Sequence, residues 1–198
     1  MDAVTSTWRA TQKANRRASL MRSAAHLFAE RGFAAVSTVE LGEAVGMSGP
    51  ALYNYFPSKE ALLAEVLTDA SRRLLDGCRA IIAEPGTPDE TLRRLVRFHL
   101  DFATSDPDII RIQDRELAQL PTDVNHTVRS LQRQYVQEWD HVLAALRPLL
   151  AADERQTRLL AAFGLLNSTP HSAVPTGERA AGILADMAIR ALAGASGS

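Results

Sequence analysis

The chain is poor in cysteine, in aromatic residues and in net charge. A single cysteine, Cys78, stands among 198 residues. An internal disulfide is therefore excluded, a reducing compartment is expected, and the thiol reads as a small core residue. No run approaches the roughly 18–20 uncharged apolar residues of a membrane span. The start, Met1-Asp2-Ala3-Val4-Thr5-Ser6-Thr7-Trp8, lacks the basic region and apolar block of a signal peptide. A cytoplasmic protein without a membrane partner is expected. Also missing are a phosphate-binding glycine loop, a nucleophile beside a base, and any histidine or cysteine cluster with metal-ligand spacing. No catalytic residue, cofactor or metal is therefore expected. Asp114, Glu116 and Asp140 read as charged solvent faces of helices, and His26 and His126 as surface or packing histidines.

What charge there is lies unevenly. The net charge is −1, yet residues 1–60 carry seven Lys/Arg against five Asp/Glu. In the first 31 residues six basic side chains (Arg9, Lys13, Arg16, Arg17, Arg22, Arg31) stand against two acidic ones. This modest cationic end suits a few phosphate contacts per subunit and a salt-dependent affinity. An apolar fraction of 46% over this length supports a substantial core and one or two domains.

Apolar residues recur at helical spacing, with no strand pattern and no internal repeat, so the expected fold class is all-α. A loose polar arm, residues 1–12, is expected before a helix from about Arg16 to Arg31. Ser58 opens a long helix to Ala83, stopped by Glu84-Pro85-Gly86-Thr87-Pro88. Helices follow over 89–104, 107–120, 121–150, 153–168 and 178–193, with a proline-containing loop at 169–176. Two domains are expected, 1–57 (arm and head) and 58–198 (helical body).

The densest information lies between Ser37 and Leu63, STVELGEAVGMSGPALYNYFPSKEALL. Ser37 and Glu40 have capping-box spacing, which starts a helix near Thr38 with Val39, Leu41 and Val45 as its apolar positions. Gly46 ends it, because glycine takes a left-handed turn without a Cβ clash. Met47 fills the angle between helices, and Ser48 caps a second helix with Pro50 in its first turn. That helix is expected through Phe56, with Leu52 and Phe56 inward and Gly49, Ala51, Tyr53 and Asn54 outward.

Two short helices across a glycine turn form a helix-turn-helix whose second helix enters the DNA major groove. Gly49 and Ala51 let the backbone approach closely. Asn54 suits a base edge, Tyr53 the groove, and Ser48 either a base or a phosphate. Tyr55 and Lys59 are placed for phosphates. Arg17, Ser37, Thr38 and Pro50 complete the candidate DNA-binding set. The competing reading, an idle amphipathic helix pair, leaves two nearby exposed tyrosines unexplained.

The segment resembles the DNA-binding domain of TetR-family transcriptional regulators. The resemblance rests on Thr38, Val45-Gly46-Met47-Ser48, Leu52-Tyr53, Tyr55-Phe56 and Ser58-Lys59-Glu60-Ala61-Leu62, and upstream on Ala24 through Phe33. It covers roughly residues 15–65. Met47 stands where the family often has Val, and Gly42 where it usually has Ala. The glycine is expected to weaken its helix by up to about 1 kcal/mol. The resemblance implies a nine-helix architecture, a ligand pocket in the helical body, and a homodimer through the last two helices reading a palindromic operator. A repressor released by a small effector is the function it implies.

The residues of the body agree with those implications. His99, Phe102, Gln113, Tyr135, Trp139, Phe163 and Asn167 place polar groups on otherwise apolar faces, as a small-molecule site requires. Their sparse charge suggests a lipophilic effector. A satisfied core histidine with packing aromatics is the plainer reading of the same residues. Leu159, Phe163, Leu166, Ile183, Leu184 and Met187, on helices rich in small residues, are the candidate dimer interface. Two other functions stay open: an all-helical enzyme or carrier with a vestigial head, and a DNA binder that answers to a protein partner.

Overall fold

The computed structural model describes residues 2–168 and 177–194. Among them are nine α-helices and no strand, the all-α class expected. The helices are α1 (Asp2–Arg31), α2 (Thr38–Glu43), α3 (Gly49–Leu52), α4 (Lys59–Ala83), α5 (Pro88–Ser105), α6 (Pro107–Glu116), α7 (Thr122–Leu146), α8 (Ala152–Leu166) and α9 (Gly177–Ala193). A single 3₁₀ turn, Leu117–Gln119, follows α6. The loop expected at 169–176, with His171, lies outside the described residues.

Local chemistry explains most boundaries. The first helix begins at Asp2 rather than near Arg16, because no glycine or proline interrupts the sequence before Gly32. Ser58 caps α4 by accepting from the Ala61 N–H at 3.1 Å. Thr87 and Glu90 form a complete capping box at the start of α5, with Pro88 in its first turn. The last turns expected of α6 and α7 are shorter than predicted, because Leu120-Pro121 and Arg147-Pro148 force the residue before each proline out of helical geometry.

Two apolar clusters hold these helices. The first joins Leu20 and Phe28 of α1, Leu41, Leu52 and Phe56 of the head, and Leu62 and Val66 of α4. Phe102 of α5 and Ile109, Ile110 and Ile112 of α6 belong to it too, so one core runs across the expected 57/58 boundary. The second joins the distal half of α4 with α5, α7, α8 and α9, around Trp139, Leu95 and Leu143. Cys78 is fully buried there, and burial pushes its thiol up to about 12, leaving it unreactive.

Polar contacts tie α6 to α1. Arg115 donates to the carbonyls of Phe28 and Ala29, at 2.7 and 2.8 Å, in the last turn of α1, where Phe28 also accepts from the Gly32 N–H at 2.9 Å. Glu116, expected on a solvent face, is instead buried and accepts from the Phe33 N–H at 3.1 Å. It satisfies the chain just beyond the end of α1, a long-range role that spacing within α6 does not reveal.

The expected dimer residues divide. Leu159 and Leu166 are buried in the second core and face this subunit's own helices, because they share a side of α8 with Ala162. Phe163 and Leu184 are half-buried against the same core. Ile183 and Met187 are exposed on α9, at 52% and 50%, and Leu160 on α8 at 56%. No helix among the described residues is long and apolar enough to cross a membrane.

Candidate nucleic-acid interface and ligand cavity

The head is built on a reciprocal cap. Ser37 accepts from the Glu40 N–H at 3.2 Å, while Glu40 accepts from the Ser37 N–H at 2.8 Å. Arg31 donates to the same carboxylate at 2.6 Å. These hydrogen bonds, those from the Ser37 backbone and side chain first, pull the Glu40 carboxyl down to about 2. The turn then passes through Gly46, whose φ of 68° is left-handed.

The two helices meet closely. A Cβ at Gly42 would lie 2.8 Å from the Met47 carbonyl oxygen, inside van der Waals contact with backbone. Here the departure from the family pattern is a packing requirement, not merely a loss of helix propensity. Gly49, expected outward, is buried against Val39, where a Cβ would come within 3.2 Å of Val39 Cα and Cγ2. Val39, expected as an apolar position of α2, is 52% exposed. The exchange follows from the crossing of α2 and α3, which seats the start of α3 on Val39.

The second helix is one turn long, and residues 53–55 continue it as turns rather than as helix. Leu52 and Phe56 point inward, as expected. Ser48, Pro50, Tyr53 and Asn54 are exposed together at its outer surface. Ser48 has the backbone of a cap but makes no side-chain cap bond, so its hydroxyl is available to a ligand. Ala51 is half-buried, and Tyr55 is partly buried against the first core. Thr38 is half-buried at the start of α2.

Two expected contacts are engaged elsewhere. Lys59 donates to the carbonyls of Phe33 and Val36, both at 2.9 Å, which fastens the start of α4 to the turn before α2. Arg17 pairs with Glu65 at 3.0 Å and lies over the Phe56 ring at 4.7 Å. Both cations hold the head to α4, a structural role that the sequence reading did not assign to them.

In the body a cavity of about 210 Å³ lies among α4, α5, α6, α7 and α8. Five expected residues line it: His99, Gln113, Tyr135, Phe163 and Asn167. Phe102 does not, because it packs in the first core beneath Arg73, 5.5 Å from the ring centre. Trp139 stands behind the wall, edge-on to His99 and Phe163. Sequence reasoning missed Ser71, Ile110 and Gln132, which sit on helix faces without an aromatic neighbour in sequence. Their signal, a polar or β-branched residue interrupting a helix stripe, is shared with many ordinary packing positions.

His99 is the centre of the cavity's polar wall. Its Nδ1 lies 3.0 Å from the Tyr135 hydroxyl, and its Nε2 lies 2.9 Å from Asn167 Oδ1. An amide oxygen only accepts, so Nε2 carries the proton and Nδ1 accepts from Tyr135. Burial lowers the imidazole to about 4 and raises the Tyr135 hydroxyl well above its ordinary value, so both are neutral at pH 7. Among the described residues no group of three or more His, Cys, Asp or Glu is placed to hold a metal ion.

Residues 20–66 match the family described as bacterial regulatory proteins, tetR family. Residues 85–194 match the tetracyclin repressor-like C-terminal domain. The HTH-type transcriptional repressor KstR2 of Rhodococcus jostii RHA1 is 31% identical over 134 residues, covering 67% of this chain. The chain spans 66% of that relative's length and about half that of other curated relatives. A TetR-family regulator from Bordetella parapertussis 12822 superposes with a TM-score of 0.82 at 25% identity, covering 91% of this chain and 95% of that one. AibR, solved with isovaleryl coenzyme A and operator DNA, shares the fold, with a TM-score of 0.76 at 20% identity over 89% of this chain and 97% of its own. The chain belongs to the TetR family of bacterial transcriptional regulators.

Proposed function

We propose that this protein is a dimeric, sequence-specific DNA-binding regulator, a repressor that a small and mainly apolar effector releases from a palindromic operator. Ser48, Pro50, Tyr53 and Asn54 form its groove-reading surface. Thr38 and Tyr55 stand at the edge of that surface, in reach of phosphates. The dimer forms through the exposed apolar faces of α8 and α9, carried by Leu160, Ile183 and Met187, which replace Leu159 and Leu166 in that role.

The observation that carries the reading is the place of Ile110. It lines the cavity and is also part of the apolar core that holds the head. An effector that displaces α6 therefore disturbs the packing of α1 directly, with Arg115 and Glu116 coupling the same two helices through hydrogen bonds. The effector shifts the equilibrium between head spacings only by its differential affinity for the two states. A twofold dimer reads half-sites about 34–36 Å apart, or a multiple of that distance.

The test is DNA binding of the purified protein to fragments from its own gene neighbourhood at two salt concentrations. Tight, sequence-selective binding by a dimer supports the reading and yields the operator for effector screens. Binding that is weak and indifferent to sequence, with and without candidate effectors, rejects it.

A further inference from the structure

We propose that the cavity beside His99 takes an uncharged, carbonyl-bearing group of its ligand, with the Gln132 amide as hydrogen-bond donor, and that it rejects the corresponding carboxylate. The inference rests on the reading of this cavity as the effector site.

The lining carries the argument. No lysine, arginine, aspartate or glutamate lines the cavity among the described residues. A carboxylate placed there loses its water without gaining a cation, a loss that hydrogen bonds alone do not offset. His99 does not supply the missing charge, because burial keeps its imidazole neutral. The titratable group facing it across the cavity wall, Tyr135, is neutral as well.

One buried donor of the lining is left over. Ser71 spends its hydroxyl proton on the Leu67 carbonyl at 2.8 Å. Tyr135 spends its own on His99. Gln132, by contrast, lines the cavity while its amide nitrogen is buried with no partner in the protein, one turn of the amide away from a ligand placed there. A buried donor without a partner is costly, and a ligand oxygen relieves that cost. The complementary group is an acceptor that needs no counter-charge: the carbonyl of an ester, amide, ketone or thioester. The volume of about 210 Å³, below the roughly 300–1,000 Å³ of drug-sized sites, limits that group to a compact one.

Four probes separate the possibilities: methyl hexanoate, hexanamide, hexanoate and hexanoyl coenzyme A, each titrated calorimetrically into the full-length protein. The expected result is binding of the ester or amide with hexanoate at least tenfold weaker. Hexanoyl coenzyme A binding more tightly than the ester identifies a thioester as the source of the carbonyl, and the ester binding more tightly identifies a free neutral ligand. Hexanoate binding as tightly as the ester overturns the inference alone. Failure of all four to bind overturns it together with the reading of the cavity as an effector site. Ester binding without any effect on operator binding sinks the regulator mechanism and leaves this inference standing. Gln132→Leu, close in shape, provides a second readout. It should leave the Tm of the ligand-free protein unchanged or higher while lowering ester affinity about fivefold. Unchanged ester affinity in that variant removes Gln132 from the site.

Discussion

The ammonium of Lys59 lies 4.3 Å from the centre of the Phe33 ring and donates to the Phe33 carbonyl at 2.9 Å. One side chain thus binds both the face and the backbone of the residue that opens the α1–α2 turn. Lys59→Ala should lower stability by about 2 kcal/mol, since it removes two charge-assisted hydrogen bonds and a cation–ring contact. The slope of DNA affinity against salt should not change. Thermal unfolding and binding at several salt concentrations check this, and a slope reduced by about one unit would restore the phosphate role.

Asn54 gives the opposite pattern. It is exposed on the outer surface of the head. Asn54→Ala should change stability by no more than about 0.5 kcal/mol. Discrimination at one operator base pair should fall by about 1–3 kcal/mol. Binding to an operator set with single base substitutions measures this, and a uniform loss across all sequences would assign Asn54 to the backbone.

Gly42→Ala decides between propensity and packing. Helix propensity alone predicts a gain of up to about 1 kcal/mol. The contact of 2.8 Å between a Cβ and the Met47 carbonyl predicts instead a loss of about 1–3 kcal/mol, the usual cost of overpacking. The sign of the change in Tm settles the matter.

On the acid side the pH dependence of folding follows chiefly from His99 and Glu40, and the lowered carboxyls of Glu60 and Glu90 add to the lower limb. Below pH 6.5 the unfolded chain protonates a histidine that the folded protein keeps neutral until about 4. Stability should therefore fall as pH drops through that window, by roughly 3 kcal/mol in full. Glu40, lowered from 4.5 to about 2, acts next: its stabilising contribution is present above 4.5 and is lost as pH falls toward 2. Denaturant unfolding over a pH series should show both limbs, with His99→Gln flattening the upper and Glu40→Gln the lower.

Ile183→Glu and Met187→Glu place a charge on the exposed apolar face of α9. Each should shift the protein to monomers in sedimentation and weaken operator binding more than tenfold, because a buried unpaired charge is costly at an interface. Leu149→Glu, at a residue 99% exposed outside any helix, should leave assembly unchanged. Equal behaviour of all three variants would place the dimer contact elsewhere.

The sequence made the helices and the head legible because caps, glycines and apolar spacing act within a few residues. Ser37–Glu40 and Gly46 are signals of that kind, and the structure has both of them. What escaped was set between distant elements. Nothing near Glu116 says that it will accept from Phe33, and nothing near Lys59 says that two carbonyls upstream will occupy it. Leu159 and Leu160 are neighbours of equal hydrophobicity, and only the docking of α8 decides which one is buried. In the cavity, the aromatic residues were visible as a set, whereas Ser71, Ile110 and Gln132 became a wall only once α4, α6 and α7 met.

The core that runs from Leu20 and Phe56 to Ile109 and Ile112 bears on how operator specificity can change in descent. A chimaera made by exchanging residues 1–57 would bring a foreign surface against Leu62, Val66, Phe102 and Ile112, and would have to repair that seam before it could fold. The exposed positions 48, 50, 53 and 54 carry no such debt to the body. On the proposed reading of those positions as the groove-reading surface, new operators are more accessible by substitution there than by borrowing a whole head.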